Sequence, residues 1–303
     1  MRKAHRANTK KVDKHKILHS YKVNMITVKQ CDNLELMNSI PDNHIDLIYC
    51  DILYGTGRNF DDYKDLKASR KNIEEHYIPR IKEMYRILKN SGSIYLQMDT
   101  KINHWMRIIL DDIFGYENFR NEIIWSYKRW SSKVNNKFQS MHDVILFYAK
   151  SNNKINVIKE KIKTPKKYQN KKDKFGNSIR DTNGKIIYYI QDERCIDDVW
   201  VIPYLNPKSK ERVDYATQKP KELIERIIKV SSNENDLVGD FYLGSGTTAV
   251  VCKELNRNFI GCDISKKAID ITNKRIQDEY EKTSLFNEPL GGVTNKTKYL
   301  DVA

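Results

Sequence analysis

The sequence lacks long apolar stretches: it holds no run of about 18 apolar residues, the length that a membrane-spanning helix needs. Its basic start (residues 1–16) has no apolar segment of the kind found in secretory signals. Cysteine is scarce and never occurs in C-x-x-C spacing, which disfavours a zinc site. We therefore expect a globular, cytoplasmic protein without a bound metal, whose reduced thiols are Cys31, Cys50, Cys195, Cys252 and Cys262.

Acidic residues are outnumbered by basic ones. The chain has 54 lysines and arginines against 40 aspartates and glutamates, which gives a formal net charge of +14. This balance suits a polyanionic partner, and nucleic acid is the usual one. An AT-rich genome, which enriches lysine, would give the same balance, so the charge alone leaves both interpretations open.

Short apolar strands alternate with amphipathic helices along most of the chain. Strands that alternate with helices in this way favour an α/β fold with a doubly wound, mostly parallel sheet. The predicted strands are residues 25–30, 45–50, 91–98, 122–129, 142–150, 236–244 and 259–264. The predicted helices are residues 33–40, 73–89, 105–114, 219–230, 247–256 and 268–282, with Asn90-Ser91-Gly92 as the stop of the second one.

A glycine-rich turn, DFYLGSGTT (residues 240–248), stands between an apolar strand and an apolar helix. Gly244 and Gly246 would let the backbone approach a ligand closely, although such a turn also serves ordinary strand–helix packing. The next strand ends in Asp263, at the place of an acid that accepts ribose hydroxyls in nucleoside-binding units. Thr247 stands where a dinucleotide fold continues toward its third glycine, which favours S-adenosylmethionine over NAD.

An acid follows the apolar run IDLIYC, in the stretch IYCDILYGTG (residues 48–57). An acid at the end of a buried strand is costly unless it has a partner or a role. Asp51 could cap a turn and Tyr54 could be an ordinary rim aromatic, so alone the pattern is not decisive. Cys50 is a conceivable nucleophile, but its place in the apolar run favours a buried strand end.

The chain resembles the β class of amino-methyltransferases of restriction-modification systems, in which the catalytic motif precedes the cofactor motif. The resemblance covers most of residues 23–283. The stretches that carry it are QCDNLELMNSIPDNHIDLIYCDILY, the segment from Trp125 to Lys150, TQKPKELIERII, DFYLGSGTT and FIGCDIS. It implies a Rossmann-like methyltransferase sheet, S-adenosylmethionine as the cofactor, and double-stranded DNA as the substrate.

The resemblance also assigns roles. Asp51 to Tyr54 stand at the catalytic D-P-P-Y tetrapeptide, so Asp51, the Ile52 carbonyl and Tyr54 would act on the target base. Both prolines of that motif are absent, and Ile52 and Leu53 stand in their place. Asp32, at the adenine-contacting acid of the family, could equally cap a strand end, and Lys219 could be a solvated lysine at a helix end. The remaining implied cofactor residues are Asp240, Gly244, Ser245, Gly246, Thr247 and Asp263.

The composition changes near residue 150, and Lys150–Lys174 carries ten lysines against two acids. This segment is either a disordered loop or a small insertion that faces DNA, and it falls where the class keeps its target-recognition region. We expect a basic arm (1–22), a catalytic half (23–150), a target-recognition insertion (151–214), a cofactor-binding half (215–283) and a tail (284–303). The expected phosphate contacts are Arg58, Lys128, Arg129, Lys163, Lys166 and Lys167.

The function that the resemblance implies is site-specific methylation of the N6 amino group of adenine in duplex DNA, by base flipping and direct transfer. Aspartate at position 51 favours adenine, because N4-cytosine enzymes of this kind more often carry serine there. The alternatives are an N4-cytosine methyltransferase and a catalytically weak, DNA-binding partner subunit, which the two missing prolines would suit. A homodimer and a cognate restriction enzyme are further expected partners.

Overall fold

The computed structural model describes residues 25–59, 65–130, 135–151 and 161–287. The predicted basic arm lies outside these ranges, and so do residues 288–303 of the predicted tail. Among the helices within them, none combines the length and the apolar character that crossing a membrane requires.

In the described ranges the main sheet has eight strands: β1 (Ile26–Gln30), β2 (Ile45–Asp51), β3 (Leu88–Met98), β4 (Phe119–Ser126), β5 (His142–Ala149), β8 (Val199–Val201), β9 (Leu237–Asp240) and β10 (Asn258–Asp263). Their order across the sheet is β1-β10-β9-β2-β3-β5-β4-β8. The strands from β1 to β3 in this order are parallel to one another, whereas β5 is antiparallel to both β3 and β4. A mostly parallel sheet confirms the predicted fold class.

Helices cover both faces of this sheet. They are α1 (Asn33–Asn38), α2 (Arg70–Ile87), α3 (Asn103–Phe114), α4 (Lys221–Ser231), α5 (Thr247–Glu254) and α6 (Lys266–Asn287). Successive side chains of β2 point to opposite faces. Ile48 and Cys50 therefore enter the core beneath α1, α2 and α3, whereas Leu47 and Tyr49 enter the core beneath α4, α5 and α6. The sheet is thus doubly wound, with an apolar core on each face.

The predicted stop of the second helix is wrong. α2 ends at Ile87 and β3 begins at once with Leu88. Ile45 pairs with Leu88 but Leu47 pairs with Ser93, so the residues between Leu88 and Ser93 bulge out of the strand pairing. Asn90-Ser91-Gly92 is therefore a strand irregularity, which small and polar residues also favour. The strand predicted over residues 236–244 likewise ends early, at Asp240, where the glycine-rich turn begins.

The insertion expected over residues 151–214 contains two paired strands, of which the first lies in the lysine-rich segment. β6 (Lys161–Asn170) runs antiparallel to β7 (Tyr188–Cys195) as a ribbon separate from the main sheet. Tyr168, Tyr188 and Ile190 are exposed on this ribbon, among lysines. The described part of the lysine-rich segment is thus largely a paired strand rather than a loop, and its role as an insertion that faces DNA stays a prediction.

Candidate active site

The carboxyl ends of β1, β10, β9 and β2 lie side by side at one edge of the sheet, beside a solvent-open cleft of about 990 Å³. This edge is the usual location of ligand sites in open α/β sheets. The cleft brings together residues from both halves of the chain. Of the residues that the sequence singled out, its wall contains Asp32, Asp51, Ile52, Tyr54, Lys219, Gly244 and Asp263.

The glycine-rich turn joins β9 to α5. Gly244 and Gly246 have φ angles of +51° and +73°, in the left-handed region that glycine enters without strain. A side chain at Gly246 would collide with Thr272 of α6, so this glycine permits close packing rather than contact with a ligand. Gly244 lines the cleft and is the glycine that a ligand could approach.

Asp263 ends β10 and holds the turn in place. Its Oδ2 accepts a hydrogen bond from the backbone N–H of Gly244 at 2.9 Å, and its Oδ1 accepts one from Ser265 at 2.9 Å. Two carboxylate oxygens offer about four lone-pair sites, so the group has further capacity for the hydroxyls of a ligand.

Asp240 lies behind the turn and outside the wall of the main cleft. Its Oδ2 accepts a hydrogen bond from Thr248 Oγ1 at 2.6 Å, and its Oδ1 accepts one from the backbone N–H of Tyr242 at 3.1 Å. Burial raises the pKa of this carboxyl to about 7. Ser245 and Thr247 line, together with Asp240, a smaller adjoining pocket. These three residues shape the turn from its rear side.

Asp32 caps a helix rather than a strand end, and it also lines the cleft. Its Oδ1 caps α1 by accepting a hydrogen bond from the backbone N–H of Leu34 at 2.8 Å. Its Oδ2 forms an ion pair with Arg80 at 3.0 Å, and the residue lines the cleft. A capping role and a place in the ligand site are therefore compatible here.

Asp51 stands at the end of β2, between the ammonium of Lys219 and the hydroxyl of Tyr54. Its Oδ2 forms an ion pair with Lys219 Nζ, and its Oδ1 lies 2.9 Å from the Tyr54 hydroxyl. Burial raises the pKa of Asp51, and the positive charge of Lys219 opposes this rise. Lys219 is therefore not a solvated lysine at a helix end, since its side chain is largely covered and its ammonium is paired with the half-buried carboxylate.

Hydrogen bonds hold the loop after Asp51 in the absence of the two prolines. The backbone N–H of Ile52 donates to the Gln97 carbonyl at 3.0 Å, and the Tyr77 hydroxyl donates to the Leu53 carbonyl at 3.0 Å. Ile52 itself is buried in the core. Further along the loop, Asp65 accepts hydrogen bonds from the N–H groups of residues 55 and 56 at 3.2 and 2.7 Å. Hydrogen bonds from neighbouring residues thus hold the loop in place of the rigid rings that two prolines would supply.

The comparisons with known proteins agree with this geometry. The family model of N6/N4-type DNA methylases matches residues 45–274. The type II methyltransferase M.HpaI of Haemophilus parainfluenzae is 32% identical over 260 residues, which cover 85% of this chain and 76% of that protein. M.BglII of Bacillus subtilis is 32% identical over 269 residues, which cover 84% of this chain and 70% of that protein. The chain belongs to the N6/N4 DNA methylase family.

The fold is also similar to that of a solved protein. The crystal structure of the M1.HpyAVI–SAM complex has a TM-score of 0.51 and 20% identity, and the match covers 83% of this chain and 100% of that one. This N6/N4 DNA methylase is accordingly a DNA methyltransferase, and its methyl donor is S-adenosylmethionine, as the sequence implied.

The cleft of this methylase fits a cationic cofactor by its charge. Arg80 and Lys219 face four carboxylates in the cleft wall, those of Asp32, Asp51, Asp65 and Asp263. His76 also lines the wall, and burial lowers its pKa to about 4, so the ring adds no positive charge near neutral pH. The excess of acid suits a nucleoside that carries a sulfonium centre.

Cys50 is part of the core of the methylase and not of its chemistry. It is fully buried, and its sulfur accepts a hydrogen bond from the backbone N–H of Phe241 at 3.3 Å. Burial raises the pKa of the thiol well above its usual value, which disfavours the thiolate that a nucleophile needs. The buried strand end expected from the apolar run is therefore confirmed.

Sequence reasoning missed a second acid beside the tetrapeptide. Asp143 of β5 is buried, and its Oδ2 lies 2.7 Å from the Tyr54 hydroxyl. The Tyr127 hydroxyl donates to its Oδ1 at 2.8 Å, and Gln97 Nε2 donates to its Oδ2 at 3.1 Å. The available signal was an acid near the start of the apolar strand HDVILFYA, the same kind of signal that drew attention to Asp51.

The residues predicted to bind DNA are spread over three segments. Arg58, Lys128, Lys166 and Lys167 are exposed, and Lys163 belongs to the paired backbone of β6. Arg129 is exposed too, but it also donates to the Tyr127 hydroxyl at 2.8 Å and thereby reaches the acid network. Their phosphate contacts stay predictions.

Proposed function

We propose that this methylase transfers a methyl group to the N6 amino group of adenine at a short site in duplex DNA. The observation that carries the proposal is the position of Asp51: a half-buried carboxylate at the end of β2, in the wall of the same cleft as Gly244 and Asp263. An acceptor for the target amino group and the candidate cofactor residues thus share one cavity.

The chemistry asks for acceptors near the amino nitrogen. The lone pair of an exocyclic amino group is conjugated into the ring, so the nitrogen is a poor nucleophile. Two acceptors aimed at its hydrogens draw the nitrogen toward tetrahedral geometry and free the lone pair. Asp51 supplies one acceptor and the backbone carbonyl of Ile52 the other. A backbone carbonyl does not depend on the side chain, so isoleucine can serve here as proline would.

When bound, the cofactor would supply a methyl group, whose bond to sulfur would break with the electron pair left on sulfur while the nitrogen lone pair forms the new bond. Asp263 would accept hydrogen bonds from its ribose hydroxyls, and Gly244 would allow its close approach to the backbone. Asp32 would face its adenine. Lys219, which is ion-paired with Asp51, would keep the half-buried carboxylate charged until the base arrives.

The base must leave the duplex to reach this cleft, because the stacked helix closes off its amino group. The Tyr54 ring offers a stacking surface, and such stacking contributes about 1–3 kcal/mol per base. The ribbon of β6 and β7 has the features of a DNA-binding element, since two paired strands fit a major groove and lysines flank its exposed aromatic residues. We assign target recognition to this ribbon, and we keep the homodimer and the cognate restriction enzyme as predictions.

Analysis of the methylated nucleosides tests this function. Purified protein would be incubated with plasmid DNA and labelled cofactor, and the DNA would be digested to nucleosides and separated. We expect the label in N6-methyladenine. Label in N4-methylcytosine would show that cytosine and not adenine is the target. Unlabelled DNA from a folded, cofactor-binding protein would favour a partner subunit. Sequencing the methylated positions would then give the recognition site.

A further inference from the structure

Three oxygen-bearing side chains form a row, of which the first is the candidate catalytic acid Asp51. The Tyr54 hydroxyl lies 2.9 Å from Asp51 Oδ1 and 2.7 Å from Asp143 Oδ2. A phenol has one proton and can donate it to one acceptor at a time. Both short contacts are hydrogen bonds only when one of the two carboxyl groups carries a proton. Both contacts of the Tyr54 hydroxyl are therefore hydrogen bonds only when the row holds one proton more than it does with both carboxyl groups ionised.

The surroundings of the row allow it to take up such a proton during the reaction. Tyr49 and Gln97 are buried beside it, and Gln97 Nε2 donates to the Tyr54 oxygen at 3.2 Å and to Asp143 at 3.1 Å. Like charges a few ångströms apart disfavour double ionisation. Burial and the charge of Asp143 both raise the pKa of Asp51, while Lys219 opposes them.

The reaction releases a proton at one end of this row. An amino nitrogen that has gained a methyl group is cationic until it loses one of its hydrogens. Asp51, the acceptor nearest to that hydrogen in the proposed function, takes it up. A protonated Asp51 inside an occupied cleft must then return to its carboxylate before it can serve the next base.

We propose that Tyr54 and Asp143 form the path by which this proton leaves Asp51, with Asp143 as a positioning residue that holds the Tyr54 hydroxyl. Asp51 gives its proton to the Tyr54 oxygen as Tyr54 passes its own to Asp143 Oδ2. Asp51 ends as a carboxylate, Tyr54 is unchanged, and Asp143 is protonated. No electron is transferred, so the step needs no further reactant.

The far end of the path leads toward solvent. Tyr127 donates to Asp143 Oδ1 at 2.8 Å, and the exposed Arg129 donates to the Tyr127 hydroxyl at 2.8 Å. Asp143 passes its proton to the Tyr127 oxygen as Tyr127 gives its own to solvent water beside Arg129, whose guanidinium is already protonated and only donates. Asp143 and Tyr127 are absent from the cleft wall. This inference rests on the proposed role of Asp51.

The test uses Tyr54→Phe, Asp143→Asn and the double variant. Tyr54→Phe keeps the ring for stacking and removes the hydroxyl, so we expect kcat to fall at least about tenfold. Asp143→Asn should lower kcat to a similar extent, with cofactor Kd and DNA KM within about twofold. In the double variant, Asp143→Asn should change kcat by less than about threefold relative to Tyr54→Phe, because neighbours on one path are not additive. Tyr95→Phe, which loses a buried hydroxyl bonded to Ser231, is the matched control.

Full turnover of Tyr54→Phe would overturn the inference. So would a fall in kcat on Asp143→Asn that is as large in the Tyr54→Phe background as in the wild type. If Asp143→Asn does not fold, Tyr54→Phe alone decides, because the path has no other link. A wild-type protein that methylates cytosine contradicts the adenine assignment but leaves the ratio of wild type to Tyr54→Phe readable. A wild-type protein that methylates no base contradicts both proposals.

Discussion

The acids on the two sides of the cleft differ in their hydrogen-bond partners. On the side of β9 and β10, Asp240 and Asp263 accept hydrogen bonds from backbone N–H groups of the turn and the residues after it. On the side of β2 and β5, Asp51 and Asp143 contact side chains: those of Lys219, Tyr54, Tyr127 and Gln97. The first pair fixes the shape of a turn, whereas the second pair meets at the Tyr54 hydroxyl, through which we propose that a proton passes. The two sides should therefore fail differently when they are mutated.

The largest effect should come from the side-chain network. Asp51→Ala removes an acceptor whose contact is to the target amino group, so we expect turnover to fall about 10³-fold or more, at the upper end of the loss when a preorganised group is deleted. Single-turnover transfer of labelled methyl to DNA measures this. Asp278→Ala, which removes an exposed acid of α6, is the control and should leave turnover unchanged. An Asp51→Ala protein with most of its turnover would remove Asp51 from catalysis.

How far the sequence predicts this site follows from the same difference. Asp263 and Gly244 are 19 residues apart, and Asp240 and Thr248 are 8 apart, so a local motif describes the whole turn. Lys219 and Asp51 are 168 residues apart, and Tyr54 and Asp143 are 89 apart. Their contacts depend on β5 packing against β3 and on the β9 side of the sheet lying next to β2, which no local pattern encodes. The acid of β5 was thus missed.

The fold shows the same division. Apolar periodicity located the alternating strands and helices, because burial of one face is written in each segment. It misplaced the end of α2, where a strand bulge and a helix stop use the same small residues. It did not find the short strand β8, whose three residues, Val199–Val201, are too few to show a period.

The second effect concerns DNA affinity and tests the ribbon. Lys166, Lys167 and Lys171, changed together to Gln, should weaken DNA binding and lower the slope of log affinity against log salt by about 0.9 for each phosphate that the variant no longer neutralises. The matched control changes the same number of exposed lysines elsewhere, which are Lys82, Lys266 and Lys274. Titration at several salt concentrations measures both. Equal slopes for the two triple variants would mean that the ribbon lysines act by net charge alone.

The third effect is a pH dependence of stability from Asp240. Its folded-state pKa is about 7, above the value of about 3.9 expected when unfolded. The folded protein therefore binds the proton more tightly, and the free energy of unfolding should fall as the pH rises from about 4 to about 7. Asp240→Asn resembles the protonated acid and should lack this contribution. Urea denaturation of both proteins across that range measures the difference, and two parallel curves would refute the assignment.

The smallest effect concerns the loop without prolines. Ile52→Pro would remove the N–H that donates to the Gln97 carbonyl and a buried side chain, so we expect a loss of about 1–3 kcal/mol of unfolding free energy. Leu53→Pro keeps the carbonyl that accepts from Tyr77 and should change this free energy by about 1 kcal/mol or less. Chemical denaturation compares the two. A larger loss of unfolding free energy for Leu53→Pro than for Ile52→Pro would contradict the hydrogen bonds assigned to this loop.

The most direct test of the contrast between the two sides is cofactor affinity, measured by calorimetry without DNA for Asp263→Ala and Asp51→Ala. Asp263 is placed to bind the cofactor, so its loss should weaken affinity by about 1–3 kcal/mol. Asp51 acts on the target base, so its loss should leave affinity within a few-fold of the wild type. Unchanged affinity for Asp263→Ala, or a loss at Asp51→Ala as large as that expected at Asp263, would contradict the account.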